Sequence, residues 1–278
     1  MEILKTIEEL ERWTAARGKP TVLVPTMGAL HAGHGALVMR GAGVSRERGL
    51  GGCVVSVFVN PTQFNDPRDL ERYPRTLEAD AAICDAAGAN AVFAPSVEAV
   101  YPRGGVVSVP SLPAVATRPG LEDAFRPGHF AGVCQVVGRL FELVRPEAAV
   151  FGEKDWQQLR VVSAMEASRG RAGVEIIPHP TLRDADGLAM SSRNRFLTSE
   201  ERRAALTIPR ALARAAGIRD VATAERAMAE ELAGLRVEYA AVRDAETLEA
   251  VIAGRPGRAL IAAWSGKTRL IDNASWGV

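Results

Sequence analysis

The chain has 278 residues, of which 47% are hydrophobic and 24% are charged, and its formal net charge is +1. This composition is typical of a folded protein with room for two domains. The near-neutral charge predicts no nucleic-acid partner, because such a partner requires an excess of basic side chains. No apolar run approaches the ~20 residues that span a bilayer, so we expect no membrane partner.

The three cysteines, Cys53, Cys84 and Cys134, lie far apart in apolar sequence and form no C-x-x-C pair. We therefore expect neither a disulfide framework nor a zinc site, and a reducing compartment fits this usage. Residues 1–13 are amphipathic and acidic and carry no signal-peptide pattern. Together these features predict a cytoplasmic protein.

Strand and helix patterns alternate along the first two thirds of the chain. In chain order we predict a helix at 5–17, a strand at 21–24, a helix containing 36–39, a glycine-rich loop over 41–52, a strand at 53–59, a helix over 76–88, a strand at 91–95, an irregular excursion over 101–120, a helix over 133–144, and strands near 150 and at 174–177. This alternation predicts an α/β fold with a Rossmann-like, doubly wound parallel sheet.

Pro178 and Pro180 are predicted to mark a hinge between two domains. We place the larger, Rossmann-like domain at residues 1–178 and a smaller C-terminal α+β domain at residues 179–278. The second domain is predicted to be mainly helical after its first loop and to end in strand-like segments near 237–239 and 259–263.

The turn PTMGALHAGH (25–34) follows the strand at 21–24 and precedes a helix. Unpaired backbone N–H groups and the helix dipole favour an anion at such a turn. Two of the four histidines, His31 and His34, lie here in the H-x-G-H arrangement of nucleotidyl-transferring enzymes, in which imidazoles stabilise charge on ATP phosphates as pyrophosphate leaves. The alternative is that the histidines only cap the helix, but the strand–turn–helix context favours nucleotide binding.

Two other polar turns occur in the predicted sheet domain. Asn60 and Gln63 come directly after the strand at 53–59, where open α/β sheets bind ligands. A solvated loop amide is the alternative for Gln63. Arg126 and His129 flank a glycine turn at a helix start, a second position that favours anions, and the alternative there is a capped helix with a surface arginine.

Two charged loops offer further phosphate ligands. Lys154 lies between two acids in a turn after the strand near 150, a pattern that can bind phosphate and a ribose hydroxyl but is common in charged turns. The loop over 184–195 presents Ser191, Ser192 and Arg193. An arginine fork grips phosphate and serine hydroxyls add donors, although a solvated basic loop has the same composition.

Seven motifs, in order, resemble the pantoate–β-alanine ligase (pantothenate synthetase) family of the wider H-x-G-H nucleotidyltransferase superfamily. They are PTMGALHAGH (25–34), VFVNPTQF (57–64), YPRTLEAD (73–80), RPGHFAGV (126–133), FGEKDWQQL (151–159), DGLAMSSRNRFL (186–197) and TRLIDN (268–273). Several long motifs in the family's order are far more specific than any one of them, and the resemblance covers nearly the whole chain.

The resemblance implies a two-step reaction. ATP and pantoate give pantoyl adenylate and pyrophosphate, and β-alanine then attacks the adenylate to give pantothenate and AMP. Both steps need positioning and charge neutralisation more than a protein nucleophile, and the motifs contain no Ser–His–Asp or Cys–His arrangement. The resemblance also implies that the larger domain binds nucleotide and pantoate, that the smaller one is a lid, and that the protein is a homodimer.

The resemblance also implies a role for each matching residue. The catalytic set is His34, His31, Lys154 and Arg193. The residues implied to bind ATP are Met27, Gly28, Ala29, Leu30, His31, Ala32, Gly33, His34, Gly152, Glu153, Lys154, Asp155, Leu182, Met190, Ser191, Ser192 and Arg193. Those implied to contact pantoate or β-alanine are Gln63, Gln158, Asn60, Tyr73, Arg126 and His129. ATP is expected to enter with Mg²⁺, for which Asp80 is a candidate ligand.

Some positions depart from the family pattern without removing an implied catalytic residue. Ala32 stands where the family has an acid, Gly35 where leucine is usual, Arg68 where an acid is common and Trp156 where tyrosine is typical. Two rival functions stay open. One is a superfamily enzyme that transfers AMP to a phosphorylated acceptor, which would carry more basic acceptor contacts. The other is an inactive nucleotide-binding relative, which would more often lack His34, Lys154 or Arg193.

Overall fold

The computed structural model describes residues 1–64, 67–102 and 107–277. It consists of two compact units. Unit 1 comprises Met1–Pro113, Arg126–Glu153 and Val161–Pro180, and unit 2 comprises Ala114–Phe125, Lys154–Arg160 and Thr181–Val278. The final change from unit 1 to unit 2 follows residue 180, two residues beyond the predicted boundary at 178. Two segments earlier in the chain, 114–125 and 154–160, also belong to unit 2. Within the described residues, no helix has the length and apolar character needed to cross a membrane.

Unit 1 is built on a parallel sheet. In the described part of the chain its strands are β1 (Glu2–Leu4), β2 (Val22–Thr26), β3 (Cys53–Val57), β4 (Ala91–Phe93), β5 (Ala148–Gly152) and β6 (Glu175–His179). Their order is β1-β4-β3-β2-β5-β6, and every neighbouring pair is parallel. Strands β2 and β3 are buried on both faces, as their continuous apolar runs require. The predicted Rossmann-like sheet is confirmed.

The helices follow the strands in alternation through unit 1 and then cluster in unit 2. In chain order they are α1 (Ile7–Arg17), α2 (Ala32–Glu47), α3 (Pro67–Arg72), α4 (Leu77–Ala86), α5 (Val97–Val100), α6 (Glu122–Phe125), α7 (His129–Val144), α8 (Trp156–Ala167), α9 (Ser199–Ala205), α10 (Thr207–Ala216) and α11 (Val221–Glu231). The first begins at a capping box in which the Thr6 side chain accepts from Glu9 N–H and the Glu9 side chain accepts from Thr6 N–H.

The loop predicted over 41–52 is wrong in its first half, because α2 continues to Glu47. The reason is the packing of Gly41. A Cβ atom there would lie 2.9 Å from both Cys53 Sγ and Val24 Cγ2. Glycine at this position therefore lets the helix lie directly on β2 and β3, and it is a close-packing residue instead of a helix end.

The hinge was predicted at Pro178 and Pro180, and the last change from unit 1 to unit 2 follows Pro180. Pro178 lies inside β6, where it pairs with Phe151 of β5. Strand β6 is at the edge of the sheet, and an edge strand tolerates proline because one side needs no ladder hydrogen bond. The irregular excursion predicted over 101–120 falls partly on 103–106, outside the described residues. Over 107–113 the chain forms no regular element.

Unit 2 contains an antiparallel sheet covered by helices. Its strands, in the residues described, are β7 (Arg236–Asp244), β8 (Gly257–Ser265) and β9 (Thr268–Trp276), in that spatial order. Ile208 and Leu212 of α10, Met228 of α11 and Ile261 of β8 belong to one buried cluster. The predicted small α+β region is confirmed, while β1 and β9 were not predicted.

Candidate active site

The strand order places two predicted site turns side by side at one edge of the unit 1 sheet. The chain proceeds from β2 through β3 to β4 in one direction and through β5 to β6 in the other, so the order reverses between β2 and β5. Ligands in open α/β sheets bind beyond the carboxyl ends of strands at such a reversal. The turn at 25–34 follows β2, and Gly152 ends β5.

The turn after β2 holds a buried carboxylate in its backbone. Gly28 and Ala29 have φ of 81° and 52°, so two successive residues are left-handed. The N–H groups of Ala29 and Leu30 donate to Asp80 Oδ2 (3.1 Å) and Oδ1 (2.8 Å), and Thr76 Oγ1 also donates to Oδ1 (3.2 Å). Asp80 is 1% exposed. These two N–H groups, which the sequence suggested were unpaired, form an anion nest that the protein's own carboxylate fills.

His31 and His34 cap the start of α2 through the same ring atom. Nδ1 of His31 accepts from Gly33 N–H (3.1 Å), and Nδ1 of His34 accepts from His31 N–H (3.3 Å). The ring centroids lie 4.1 Å apart, and both rings are partly buried. Because each Nδ1 is an acceptor, a neutral ring carries its proton on Nε2. The capping alternative is therefore correct for Nδ1, and Nε2–H of each ring is the donor suited to a phosphate oxygen.

Asn60 is a buried hub after β3. Its Nδ2 donates to Gly132 O (3.1 Å), and its Oδ1 accepts from Thr62 N–H (3.3 Å), Thr62 Oγ1 (3.1 Å) and Tyr101 OH (2.8 Å). Burial raises the pKa of Tyr101, so this phenol stays protonated and donating. A Cβ atom on Gly132 would lie 2.5 Å from Thr62 O, so α7 approaches the turn as closely as backbone allows. At 1% exposure, Asn60 is placed to hold the turn that carries Gln63.

The other predicted substrate residues of unit 1 lie on these same elements. Gln63 is partly buried at the end of a short 3₁₀ turn, Pro61–Gln63. Tyr73 is partly buried and meets Phe64 edge to face, with centroids 5.6 Å apart. His129 is buried at the first position of α7, and its N–H donates to Arg126 O (3.1 Å).

Unit 2 brings other predicted ATP residues around one cavity. Its polar lining consists of Lys154, Ser191, Arg193, Arg269 and Asp272, and its apolar lining of Leu188, Ala189, Ile208, Leu270 and Ile271. Met190 and Ser192 are the chain neighbours of these residues, and Asp155 and Leu182 are exposed. Gly152 and Glu153 belong to unit 1. The cavity thus brings together residues from three of the motifs, which span 151–159, 186–197 and 268–273.

The paired glutamines of α8 differ sharply. Gln157 is 3% exposed, and its amide accepts from Glu122 N–H and donates to Val115 O and Asp123 Oδ1, each at 2.9 Å. Gln158 is partly buried and lies about 100° further round the helix. Gln157 therefore holds the segment at 114–125 within unit 2, and the contact of Gln158 with pantoate stays a prediction.

Arg269 lines the same cavity, and the sequence analysis did not single it out. Its guanidinium donates to both carboxylate oxygens of Glu122 (2.6 and 3.0 Å) and to Glu238 Oε2 (2.8 Å), and it lines the cavity. Tyr239 OH also donates to Glu122 (2.8 Å). The only sequence signal was its place in the motif TRLIDN (268–273).

The described residues contain no cluster of three or more metal-ligating side chains. All three thiols are buried, and burial raises the pKa of Cys53 and Cys84 to about 12 and that of Cys134 to about 11. Thiols held so far from ionisation are poor nucleophiles at neutral pH.

An open parallel sheet with a histidine turn at its order reversal is the arrangement of an α/β nucleotide-binding protein. The family described as pantoate-beta-alanine ligase matches residues 2–275. The pantothenate synthetase of Rubrobacter xylanophilus is 49% identical, with 98% of this chain and 96% of that protein covered. The pantothenate synthetase of Myxococcus xanthus is 46% identical, with 99% and 96% covered. The chain belongs to the pantoate–β-alanine ligase family.

Solved structures agree. The chain is similar to a pantothenate synthetase from Thermus thermophilus, with a TM-score of 0.87, 43% identity and 99% of each chain covered. It is also similar to a pantoate-beta-alanine ligase from Francisella tularensis solved in complex with beta-gamma ATP and beta-alanine. That match has a TM-score of 0.78 and 30% identity, covering 99% of this chain and 97% of that one. The family resemblance read from the sequence is confirmed.

Proposed function

We propose that this pantoate–β-alanine ligase joins pantoate to β-alanine through a pantoyl-adenylate intermediate, releasing pyrophosphate and AMP. The observation that carries the proposal is the H-x-G-H turn, whose imidazoles are fixed through Nδ1 beyond the end of β2 in a member of this family. The Francisella tularensis relative, solved with beta-gamma ATP and beta-alanine, supports ATP and β-alanine as two of the substrates.

In the first step, a carboxylate oxygen of pantoate attacks the α-phosphorus of ATP. A mixed carboxylic–phosphoric anhydride bond forms, the bond between the α-phosphorus and the oxygen that bridges it to the β-phosphorus breaks, and pyrophosphate leaves with the electron pair. Charge grows on the phosphate oxygens as this happens. Nε2–H of His34, with that of His31, donates to those oxygens, and Lys154 and Arg193 add positive charge. The rest of the ATP contacts come from 27–33, Gly152, Glu153, Asp155, Leu182 and 190–192.

In the second step, the neutral amine of β-alanine attacks the carbonyl carbon of the adenylate and an amide bond forms. The bond between that carbon and the phosphate oxygen breaks, AMP leaves with the electron pair, and the amine nitrogen gives up a proton to water. Gln63 and Gln158 hold pantoate through its hydroxyl and carboxylate groups, and Tyr73, Arg126 and His129 line the substrate side. For Asn60 we propose positioning instead of substrate contact, because its amide already makes four hydrogen bonds within the protein. Orientation of the two reactants supplies much of the rate.

We propose that ATP enters as its Mg²⁺ complex. Mg²⁺ keeps several waters and takes few protein ligands, so water and the ATP phosphates would supply its coordination. Asp80 is not carried into this role, because its two oxygens accept three hydrogen bonds and it is 1% exposed. Its geometry supports a different role, as the anchor of the histidine turn.

The proposal also places the enzyme in the cytoplasm as a homodimer. Three buried, unoxidised cysteines support a reducing compartment. The dimer rests on the family resemblance alone, and light scattering on the purified protein tests it, since a monomeric mass at working concentration would remove it.

Pyrophosphate release tests the reaction order. MgATP with pantoate and no β-alanine should release about one equivalent per site, as expected for a tightly held acyl adenylate, and adding β-alanine should convert this burst to continuous turnover. Release that requires β-alanine from the start would contradict the adenylate route. ATP binding without any release would point to another acceptor or to an inactive relative.

A further inference from the structure

We infer that Asp272 and Asn273, neighbours on β9, are positioning residues that hold the two ATP-contacting segments of unit 2 to one strand. The inference rests on the proposed function, because it takes Lys154 and the loop at 190–193 as ATP contacts. It explains the motif TRLIDN (268–273), which the reaction itself leaves without a role. Both side chains are buried, at 3% and 4% exposure.

Asn273 fixes the backbone under Lys154. Its Nδ2 donates to Lys154 O (2.9 Å), and its Oδ1 accepts from Arg258 Nε (2.6 Å). The Arg258 guanidinium lies over the Trp156 ring, 3.7 Å from its centroid, and Trp156 Nε1 donates to Ala245 O (3.0 Å). The backbone that carries Lys154 into the cavity is therefore held at two points. One is the carbonyl oxygen of Lys154, and the other is the side chain of Trp156, two residues later.

Asp272 fixes the loop that leads to Ser191 and Arg193. Its carboxylate accepts from Arg183 Nη1 (2.7 Å) and Nη2 (3.0 Å), a bidentate pair. Arg183 Nη1 also donates to Gly187 O (3.1 Å), and Arg183 forms an isolated bridge with Ala189. Arg183 thus closes the tight turn before Met190, and Asp272 of β9 holds Arg183 in place.

One strand can hold both segments because neighbouring strand residues project to opposite sides. The backbone adds a link between the two, since Asn273 N–H donates to Asp272 Oδ1 (2.8 Å). Lys154, Ser191, Arg193 and Asp272 then line the same cavity. The spacing between the lysine and the serine–arginine loop is therefore set by consecutive residues of β9, and not by either segment alone.

The test compares Asn273→Asp with Ser275→Ala by steady-state kinetics. Asn273→Asp keeps an acceptor for Arg258 but replaces the N–H donor to Lys154 O with an oxygen. Ser275 is the matched control, since it lies two residues further along β9 and its Oγ accepts from Arg258 Nη1 (3.3 Å). We expect Asn273→Asp to raise KM for ATP about tenfold, the scale of one buried hydrogen bond, while KM for β-alanine stays unchanged and Ser275→Ala matches the wild type.

Asp272→Asn is the second variant. We expect it also to raise KM for ATP while KM for β-alanine stays unchanged. Thermal unfolding of all three variants separates positioning from a general structural role. A lowered Tm with an unchanged KM for ATP in both Asp272→Asn and Asn273→Asp would overturn the inference, and so would an equal rise in KM for ATP in Ser275→Ala. If the wild type itself forms no pantothenate from MgATP, pantoate and β-alanine, the proposed function fails instead.

Discussion

The histidine turn of unit 1 and the loop at 184–195 of unit 2 both carry proposed ATP contacts, yet they are held by different forces. The turn is held by buried and partly buried hydrogen bonds from backbone N–H groups to one carboxylate and two imidazole nitrogens. The loop is held by arginine–carboxylate pairs: Arg202 with Asp184 and Asp186, which are about one third exposed, and Arg183 with the buried Asp272. Exposed ion pairs such as those of Arg202 are screened by salt more than buried contacts are.

The two segments also differ in how firmly they need to be fixed before ATP binds. In the proposed mechanism the histidines act on charge that exists only during reaction, so their donors gain from being fixed in advance. The proposed role of the basic loop is to bind phosphates that are charged throughout, and its Arg193 is exposed. Three replacements test this contrast, beginning with the largest expected effect.

Replacing His34 should cause the greatest loss. We expect His34→Ala to lower the rate of pyrophosphate release by about 100-fold or more, the scale of losing an electrostatic stabiliser. His34→Asn is the control, because its side-chain oxygen can accept from His31 N–H as Nδ1 does but offers no Nε2–H. A His34→Asn rate close to that of the wild type would show that the residue only caps the helix.

Replacing Asp80 should loosen the turn without touching the imidazoles. Asp80→Asn places an amide where two N–H groups need acceptors, so we expect the free energy of unfolding to fall by about 2 kcal/mol, the cost of a buried unsatisfied donor, with a slower first step. Urea unfolding and pyrophosphate release measure the two effects. Asp85→Asn on the same helix is the control, since Asp85 is 65% exposed. Equal unfolding energies for the two variants would contradict the anchoring role.

Replacing Arg202 should have a smaller, salt-dependent effect. We expect Arg202→Ala to raise KM for ATP about threefold at low salt and to lower the free energy of unfolding by less than about 1 kcal/mol, because these pairs are about one third exposed. In about 0.5 M salt the difference from the wild type should shrink, since screening weakens the intact pair. A salt-independent difference would mean that packing, not charge, holds the loop.

The same pair gives a pH expectation. The hydrogen bond from Arg202 lowers the pKa of Asp186. A lowered folded-state pKa contributes stability above the ordinary value of the carboxyl group and loses it as pH falls through the lowered one. The difference in unfolding energy between the wild type and Arg202→Ala should therefore be constant from neutral pH to mild acid and disappear in strong acid.

The smallest effect at neutral pH concerns the thiols. We expect a thiol-specific colour reagent to label none of the three cysteines in the native protein and all three after unfolding in urea. Because burial raises the pKa of these thiols to about 11 to 12, the folded state binds more protons than the unfolded state above pH 9. The free energy of unfolding should then fall as pH rises from 9 towards 12. Rapid native labelling would contradict the burial.

Local patterns sufficed for most of unit 1 because its strands are buried apolar runs and its site turns follow them directly. Local patterns failed at Gly41, because glycine there permits close packing of the helix against Cys53 and Val24, which no local pattern shows. They also missed β9, since its buried Asp272 and Asn273 break the alternation expected of a strand. The role of Asp80 depends on its hydrogen bonds with Ala29 and Leu30, about fifty residues earlier in the chain. The sequence spacing alone does not predict such a contact.

A turn that supplies its own anion has a consequence for inhibitor chemistry. An acidic group aimed at the amides of Ala29 and Leu30 would compete with a tethered carboxylate whose effective concentration no soluble compound matches. Buffer phosphate or sulfate faces the same competitor. Compounds directed at this region should instead present neutral acceptors to the imidazole Nε2–H groups, whose geometry is set before any ligand arrives.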